Sequence, residues 1–142
     1  MSARPLLDLE LAAEAAALPA MRRQLCATLE RLRVPAATRD RLVLAVHEAC
    51  ANVIRHGYGD RAGGRMRLSV YRVRQWLHFR LRDQAPALVP PTLVARDLDE
   101  CRPGGLGLPI IDQTMQRWCW LPQRHRDGNV LNMWCRWSKG VS

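Results

Sequence analysis

The chain has 142 residues, enough for a single domain over residues 1–142, since a domain of this size buries roughly 68–70% of the surface that its unfolded chain exposes. Its formal charge of +9 comes almost wholly from scattered arginines, a pattern that favours an acidic protein partner over direct nucleic-acid binding. Five widely spaced cysteines without a C-x-x-C pair argue against a disulfide framework or a zinc site and predict free thiols. The absence of a long apolar run and of a signal peptide predicts a cytoplasmic protein without membrane contact.

Hydrophobic periodicity and turn residues predict both helices and strands. Thr38 is expected to cap the second helix, and Arg74-Gln75 to join two strands as a hairpin. The predicted elements, in chain order, are an edge strand over Leu6–Leu11, helices over Ala13–Leu32 and Arg39–His56, strands over Met66–Val73 and Trp76–Arg82, a helix over Leu108–Gln116, and strands over Trp118–Leu121 and Val130–Trp137.

A long segment, Ala87–Pro103, follows the predicted hairpin. Pro90 and Pro91 exclude regular structure there because proline lacks the backbone N–H that helices and strands use. A loop of this length in a compact domain is usually functional, so we expect it to be mobile and to take part in ligand binding.

The second predicted helix carries two polar residues within an apolar pattern. Glu48 and Asn52 are four residues apart and therefore share one face of the helix. Burying a carboxylate and a carboxamide among apolar neighbours such as Val46 and Val53 costs several kcal/mol unless a polar group meets them. A metal-bound ligand is a natural candidate.

A glycine-rich segment, Gly104-Gly105-Leu106-Gly107-Leu108, leads into the third predicted helix. Backbone N–H groups at such a helix start can hold phosphate, and glycine lets the chain approach closely. Together with Glu48 and Asn52, this segment indicates nucleotide binding.

Three other kinds of site are excluded by residue type. A Walker A loop and a eukaryotic-type protein kinase both need a lysine, and the sole lysine, Lys139, lies near the C-terminus outside either context. His47-Glu48 resembles the start of a zinc-protease H-E-x-x-H motif, but Ala51 stands where the second histidine would be.

Three segments in order carry a family resemblance. The run from Glu48 to Tyr58 resembles the N-box of the GHKL (Bergerat-fold) ATPases, specifically the bacterial anti-sigma-factor serine kinases. Asp83-Gln84-Ala85-Pro86 resembles the first glycine box of that family, and Gly104–Leu108 resembles the second. The resemblance implies an α+β fold, a two-layer α/β sandwich in which a mixed, mostly antiparallel sheet packs on helices and ATP lies under a lid.

The resemblance also implies a role for each matching residue. Asn52 would coordinate Mg²⁺ bridging the phosphates of ATP, and Glu48 would be the general base that takes the proton from a serine hydroxyl. Asp83 would accept the exocyclic amine of adenine. The full set expected to contact the nucleotide is Asn52, Arg55, His56, Asp83, Ala85, Gly104, Gly105, Leu106, Gly107 and Leu108.

The function implied is that of an ATP-dependent protein serine kinase that is also an anti-sigma factor. Such a protein binds a sigma factor and phosphorylates a serine of the factor's antagonist, an anti-anti-sigma protein of the STAS type. A homodimer is expected. The alternative is a regulatory binding module with little or no phosphotransfer, because Ala85 replaces a glycine of the family pattern and its methyl group would crowd the adenine or alter the turn.

Simpler interpretations of the same residues stay open. Glu48 and Asn52 also fit an exposed helix stripe, and Asp83 fits a turn residue. His56 also fits a helix C-terminal residue that interacts with the helix dipole. A basic nucleic-acid-binding domain is a third hypothesis, and it predicts DNA affinity that falls steeply with salt.

Overall fold

The computed structural model describes residues 4–86, 109–123 and 127–137, and it is a two-layer α+β fold. Five antiparallel strands form one sheet in the order β1-β2-β3-β5-β4. The strands are β1 (Leu7–Ala12), β2 (Arg65–Val73), β3 (Trp76–Asp83), β4 (Arg117–Pro122) and β5 (Asn129–Arg136). The helices are α1 (Leu18–Arg31), α2 (Ala36–Asn52) and α3 (Pro109–Thr114), with a short 3₁₀ turn at Ala15–Ala17 and a π-helical turn at Val53–Gly57.

The sheet has one buried and one half-exposed face, as the alternation along its strands predicts. In β3, Leu77, Phe79 and Leu81 are buried while the residues between them are partly exposed. We call the buried face the inner face and the other the outer face. The predicted hairpin is confirmed: β2 and β3 pair in register around Arg74-Gln75, where Arg74 adopts a positive φ of 57°.

The helices supply the second layer of the core. In α1, Met21, Leu25 and Leu29 recur at the spacing of one helical face and are buried, and α2 does the same with Leu42 and Val46. These side chains pack with the inner face of the sheet in one core. The predicted α+β sandwich is confirmed, although every strand pairing among the described residues is antiparallel rather than mixed.

The start of the second helix differs from the prediction. The second helix begins directly after Pro35, whose backbone is extended, so Thr38 lies inside the first turn and is not the cap. Pro35 has an extended ψ of 147°, so it cannot belong to the helix, and Ala36 is the first residue with helical geometry. The predicted loop Ala87–Pro103 lies outside the described residues.

The cysteines agree only in part with the expectation of free thiols. Cys26, Cys50 and Cys135 are free, whereas Cys119 is disulfide-bonded, which the spacing of the cysteines did not predict. Burial raises the pKa of the Cys50 thiol to about 12, so this thiol is unreactive at neutral pH. None of the helices in the described ranges has the length and apolar character needed to cross a bilayer.

Leu42 and Leu44 on α2 give a matched test of the packing. Leu42 is fully buried and Leu44 is 49% exposed. Leu42→Ala should lower the free energy of unfolding by about 2–5 kcal/mol because it leaves a cavity in the core, and Leu44→Ala should change it by about 0.5 kcal/mol or less. Urea unfolding followed by circular dichroism measures both. Equal losses for the two variants would contradict this assignment of the buried face.

Candidate functional site

The C-terminal end of α2 brings three of the predicted site residues together. Asn52 is buried, with only 4% of its surface exposed, and the Glu48 side chain is 34% exposed. The Arg55 guanidinium Nη2 lies 3.4 Å from Asn52 Oδ1 and 4.0 Å from Glu48 Oε2. One arginine therefore spans both polar side chains. The pair is not the fully exposed helix stripe that was the simpler interpretation.

The helix widens immediately after Asn52. Val53–Gly57 form a π-helical turn, in which the N–H of Tyr58 donates to the carbonyl of Val53 at 2.9 Å. The sequence predicted a continuous α-helix as far as His56, which is exposed on this turn. Single π-helical turns are rare and frequently lie at functional sites, because the extra residue redirects the side chains that follow.

Asp83 is the buried polar group at the end of β3. Only 2% of its surface is exposed, and it belongs to the inner face of the sheet. Its Oδ1 accepts the backbone N–H of Ala85 at 2.9 Å and the Asn129 carboxamide at 3.1 Å. Burial raises the pKa of the Asp83 carboxyl, while the hydrogen bonds from Asn129 and Ala85 oppose that rise. Asp83 is thus a strand residue, in contrast to the turn interpretation.

Asn129 is a site residue that sequence reasoning undervalued. It stands opposite Asp83 in the β3–β5 pairing, and its carboxamide also donates to the Pro86 carbonyl at 3.1 Å. The structure shows an amide that orients the carboxylate. The available signal was the pairing of the last strand with β3, which would have placed a polar residue beside Asp83.

Tyr58 is a second residue that the sequence did not single out as structural. Its hydroxyl accepts the Gln84 backbone N–H at 2.8 Å and donates to the Arg65 carbonyl at 2.6 Å. Its ring lies on Gly64, where an added Cβ would stand only 2.8 Å from the ring. Tyr58 follows the π-helical turn after α2, and its hydrogen bonds therefore tie this segment to the start of β2 and to the residue after β3.

Ala85 packs where the α2 segment meets the end of β3. It is buried, and its methyl group would stand 3.3 Å from a Cβ built on Gly57. Ala85 does not adopt a positive φ, so its backbone avoids the conformation that favours glycine. Whether alanine alters the turn relative to the family pattern stays a prediction. The methyl group occupies the space beside Gly57 that a side chain at position 57 would otherwise enter. Whether it also meets adenine stays a prediction.

The phosphate-binding part of the predicted site falls on residues that the structure does not describe. Gly104–Leu108 lies outside the described residues, and the helix that these glycines precede begins at Pro109 and packs against α2. Within the described ranges there is no cluster of three or more His, Cys, Asp or Glu side chains. The Asn52 side-chain oxygen alone would suit Mg²⁺, since this ion is commonly held by few protein ligands together with phosphates and water.

The family of the chain is shown by comparison with known proteins. A model of the histidine kinase-like ATPase domain matches residues 11–135, which is most of the sequence. The chain belongs to this family of ATPase domains. No curated protein matches the sequence.

A solved structure shares the fold. The crystal structure of the RsbU and RsbW domains of Rv1364c from Mycobacterium tuberculosis superposes with a TM-score of 0.65 and 17% sequence identity. The match covers 92% of this chain and 31% of that one, so this chain spans about a third of the length of its neighbour. At this identity the similarity shows a common fold.

The carboxyl pKa of Asp83 tests the geometry of the site. It should lie above 3.8, because burial disfavours the charged form, and Asn129→Ala should raise it further by removing a donor to the carboxylate. Carboxyl ¹³C chemical shifts followed against pH give the value. Asp8 is the internal control: hydrogen bonding to Arg67 lowers its pKa to about 2, and Asn129→Ala should leave it unchanged. An Asp83 pKa that falls in Asn129→Ala would contradict the assigned hydrogen bond.

Proposed function

We propose that this chain is an ATP-dependent protein serine kinase that acts as an anti-sigma factor in a partner-switching pathway. The proposal depends most on one observation: Asn52 and Asp83, the buried polar residues of two separate family boxes, belong to segments that meet in the core. The Gln84 N–H donates to the Tyr58 hydroxyl at 2.8 Å and joins these segments. Membership of the histidine kinase-like ATPase family supports ATP as the nucleotide.

In this proposal the adenine end of ATP is recognised by Asp83. Its carboxylate would accept the exocyclic amine of the base, as the family resemblance implies. Asn129 and the N–H of Ala85 both donate to Oδ1, so the carboxylate is held in one orientation before ligand arrives. A preorganised acceptor of this kind supports affinity because little ordering is left to do on binding.

The phosphate end would lie at Asn52. Its Oδ1 would hold Mg²⁺ together with the phosphates, for which Mg²⁺ supplies charge neutralisation. Arg55 already contacts this oxygen and is half-exposed, so it can turn toward a phosphate without breaking a buried network. His56 and the glycines of 104–108 complete the phosphate contacts in this proposal.

Glu48 is proposed as the general base. It lies one helical turn before Asn52, and a third of its side chain is exposed, which leaves it accessible to a serine of a protein substrate. A carboxylate at this position would accept the hydroxyl proton while the serine oxygen bonds to the terminal phosphorus of ATP, the bond from that phosphorus to the bridging oxygen breaks, and ADP leaves.

The partners are proposed from the same resemblance. One is a sigma factor and the other a STAS-type anti-anti-sigma protein whose serine receives the phosphoryl group. We propose a homodimer as the binding form and the cytoplasm as its location. Neither proposal needs a membrane or direct nucleic-acid contact.

A non-catalytic binding module is the second candidate function, and Ala85 is the observation that favours it. The buried methyl group stands two residues after the adenine-binding carboxylate. Two findings weigh against the non-catalytic module. The backbone at Ala85 does not adopt a positive φ. Asn52 and Glu48 both lie beside Arg55, and Asp83 accepts a hydrogen bond from Asn129. We therefore prefer the active kinase.

Glu48→Gln separates the two candidates. The variant should keep Mg-ATP affinity, because the shape of the side chain is retained, and should lower phosphotransfer by about 10²–10⁴-fold, because the base is lost. Transfer of labelled phosphate from γ-labelled ATP to a purified anti-anti-sigma protein measures the rate. Full phosphotransfer by Glu48→Gln would remove Glu48 from the role of base.

Asn52→Ala is the contrasting variant, and it is tested by nucleotide binding. It should abolish Mg²⁺-dependent ATP binding in isothermal titration while circular dichroism shows a folded protein. Unchanged Mg-ATP affinity in this variant would show that Asn52 is not a metal ligand. Binding of the antagonist by wild type without any phosphotransfer would favour the non-catalytic module.

A further inference from the structure

The outer face of the sheet carries a dense set of positive charges. Strand alternation and register place six arginines on it, and only two carboxylates of the strands, Asp8 and Glu10, share the same face. The helices pack on the other face. The arginines are Arg65, Arg67, Arg80, Arg82, Arg117 and Arg136.

The two carboxylates are already engaged at one edge of the sheet. Asp8 receives two hydrogen bonds from the Arg67 guanidinium, at 2.8 and 2.6 Å, and Glu10 lies 3.7 Å from Arg65. Both acids come from β1, the edge strand beside β2. The central strand β3 therefore has no carboxylate partner on its outer side within the described part of the chain.

Two arginines of the outer face, Arg80 and Arg82 of β3, form no ion pair with another described residue. Both are half-buried, and Arg80 Nε is buried without a hydrogen-bond acceptor. A guanidinium N–H that has lost water and gained no acceptor is costly.

A row of aromatic side chains runs across the same face. The His78 ring lies 4.8 Å from the Trp134 ring at an interplanar angle of 6°, Tyr71 lies 5.7 Å from His78, and the Arg117 guanidinium lies 5.7 Å from the Trp134 ring. Burial lowers the pKa of His78, which favours the uncharged ring beside the arginines.

This row distinguishes between two kinds of acidic ligand. A nucleobase platform needs a free ring face, and here Trp134 is flanked by His78 and Arg117. The row presents ring edges, which carry partial positive charge and suit carboxylate oxygens. A second copy of the chain is disfavoured as well, because a twofold contact through this face would bring arginines against arginines.

We propose that the outer face binds an acidic protein partner, whose carboxylates pair with Arg80 and Arg82 beside the aromatic row. At the end of the face, a cavity of about 430 Å³ is lined by three arginines and three carboxylates, so it adds no net positive charge to this surface. Arg80 and the aromatic row lie on the face of the sheet opposite Asp83, whereas the cavity beside Arg82 is also lined by Asp83.

Poly-L-glutamate is a suitable probe, and its binding can be followed by isothermal titration at low and at physiological salt without nucleotide. Arg80→Gln/Arg82→Gln should weaken binding by about tenfold, the size expected from losing two ion pairs. The matched control is Arg23→Gln/Arg41→Gln, which removes the same charge from exposed positions on α1 and α2. It should change the affinity less than about twofold.

Equal losses in the two double variants would overturn the proposal, because they would show a general attraction between polyanions and a basic protein. Tighter binding of single-stranded oligo-dT than of poly-L-glutamate, lost with Arg80→Gln/Arg82→Gln, would overturn it in favour of nucleic acid. If circular dichroism shows that the double variant is unfolded, Arg82→Gln alone is compared with Arg41→Gln. Equal affinities of these two variants for poly-L-glutamate would also overturn the proposal.

Discussion

A carboxylate buried at the end of a central strand is the constraint on which the rest of this structure depends. Asp83 is 2% exposed, and a charged group so placed is costly unless hydrogen bonds replace water. The fold supplies them from two directions, the turn after β3 through Ala85 and the neighbouring strand through Asn129. The Gln123 side chain also donates to the Asp83 carbonyl at 3.1 Å, so the β4–β5 hairpin holds the strand end itself.

The same region ties the helical layer to the sheet. The α2 segment widens into a π-helical turn and reaches the residues after β3 through Gly57, while the Tyr58 hydroxyl bonds the backbone at Gln84 and Arg65. Because these contacts fix Asn52 relative to Asp83, the spacing between the two ends of the proposed nucleotide site is a property of the packed fold.

Local signals predicted the elements well, and long-range pairing decided what they missed. The Arg74-Gln75 hairpin and the polar pair Glu48 and Asn52 depend on periods of two and four residues, which a sequence displays directly. The partnership of Asp83 with Asn129 joins residues 46 apart, and no local pattern encodes it.

The π-helical turn escaped prediction for a related reason. Tertiary contacts of Gly57 and Tyr58 stabilise it, whereas intrinsic helix propensity favours continuing the α-helix to His56. At the start of α2 a local rule pointed to the wrong residue. Thr38 is a good N-cap by residue type, but the N-cap is Pro35, three residues earlier.

Isothermal titration of the wild type and of Asp83→Asn with Mg-ATP and Mg-GTP tests the central claim most directly. That claim is that a preorganised Asp83 carboxylate recognises adenine. It predicts that wild type binds Mg-ATP in preference to Mg-GTP, because the guanine ring has a carbonyl where adenine has its exocyclic amine, and that Asp83→Asn loses this preference while remaining folded. Equal binding of the two nucleotides by wild type, or an unchanged preference in Asp83→Asn, would contradict it.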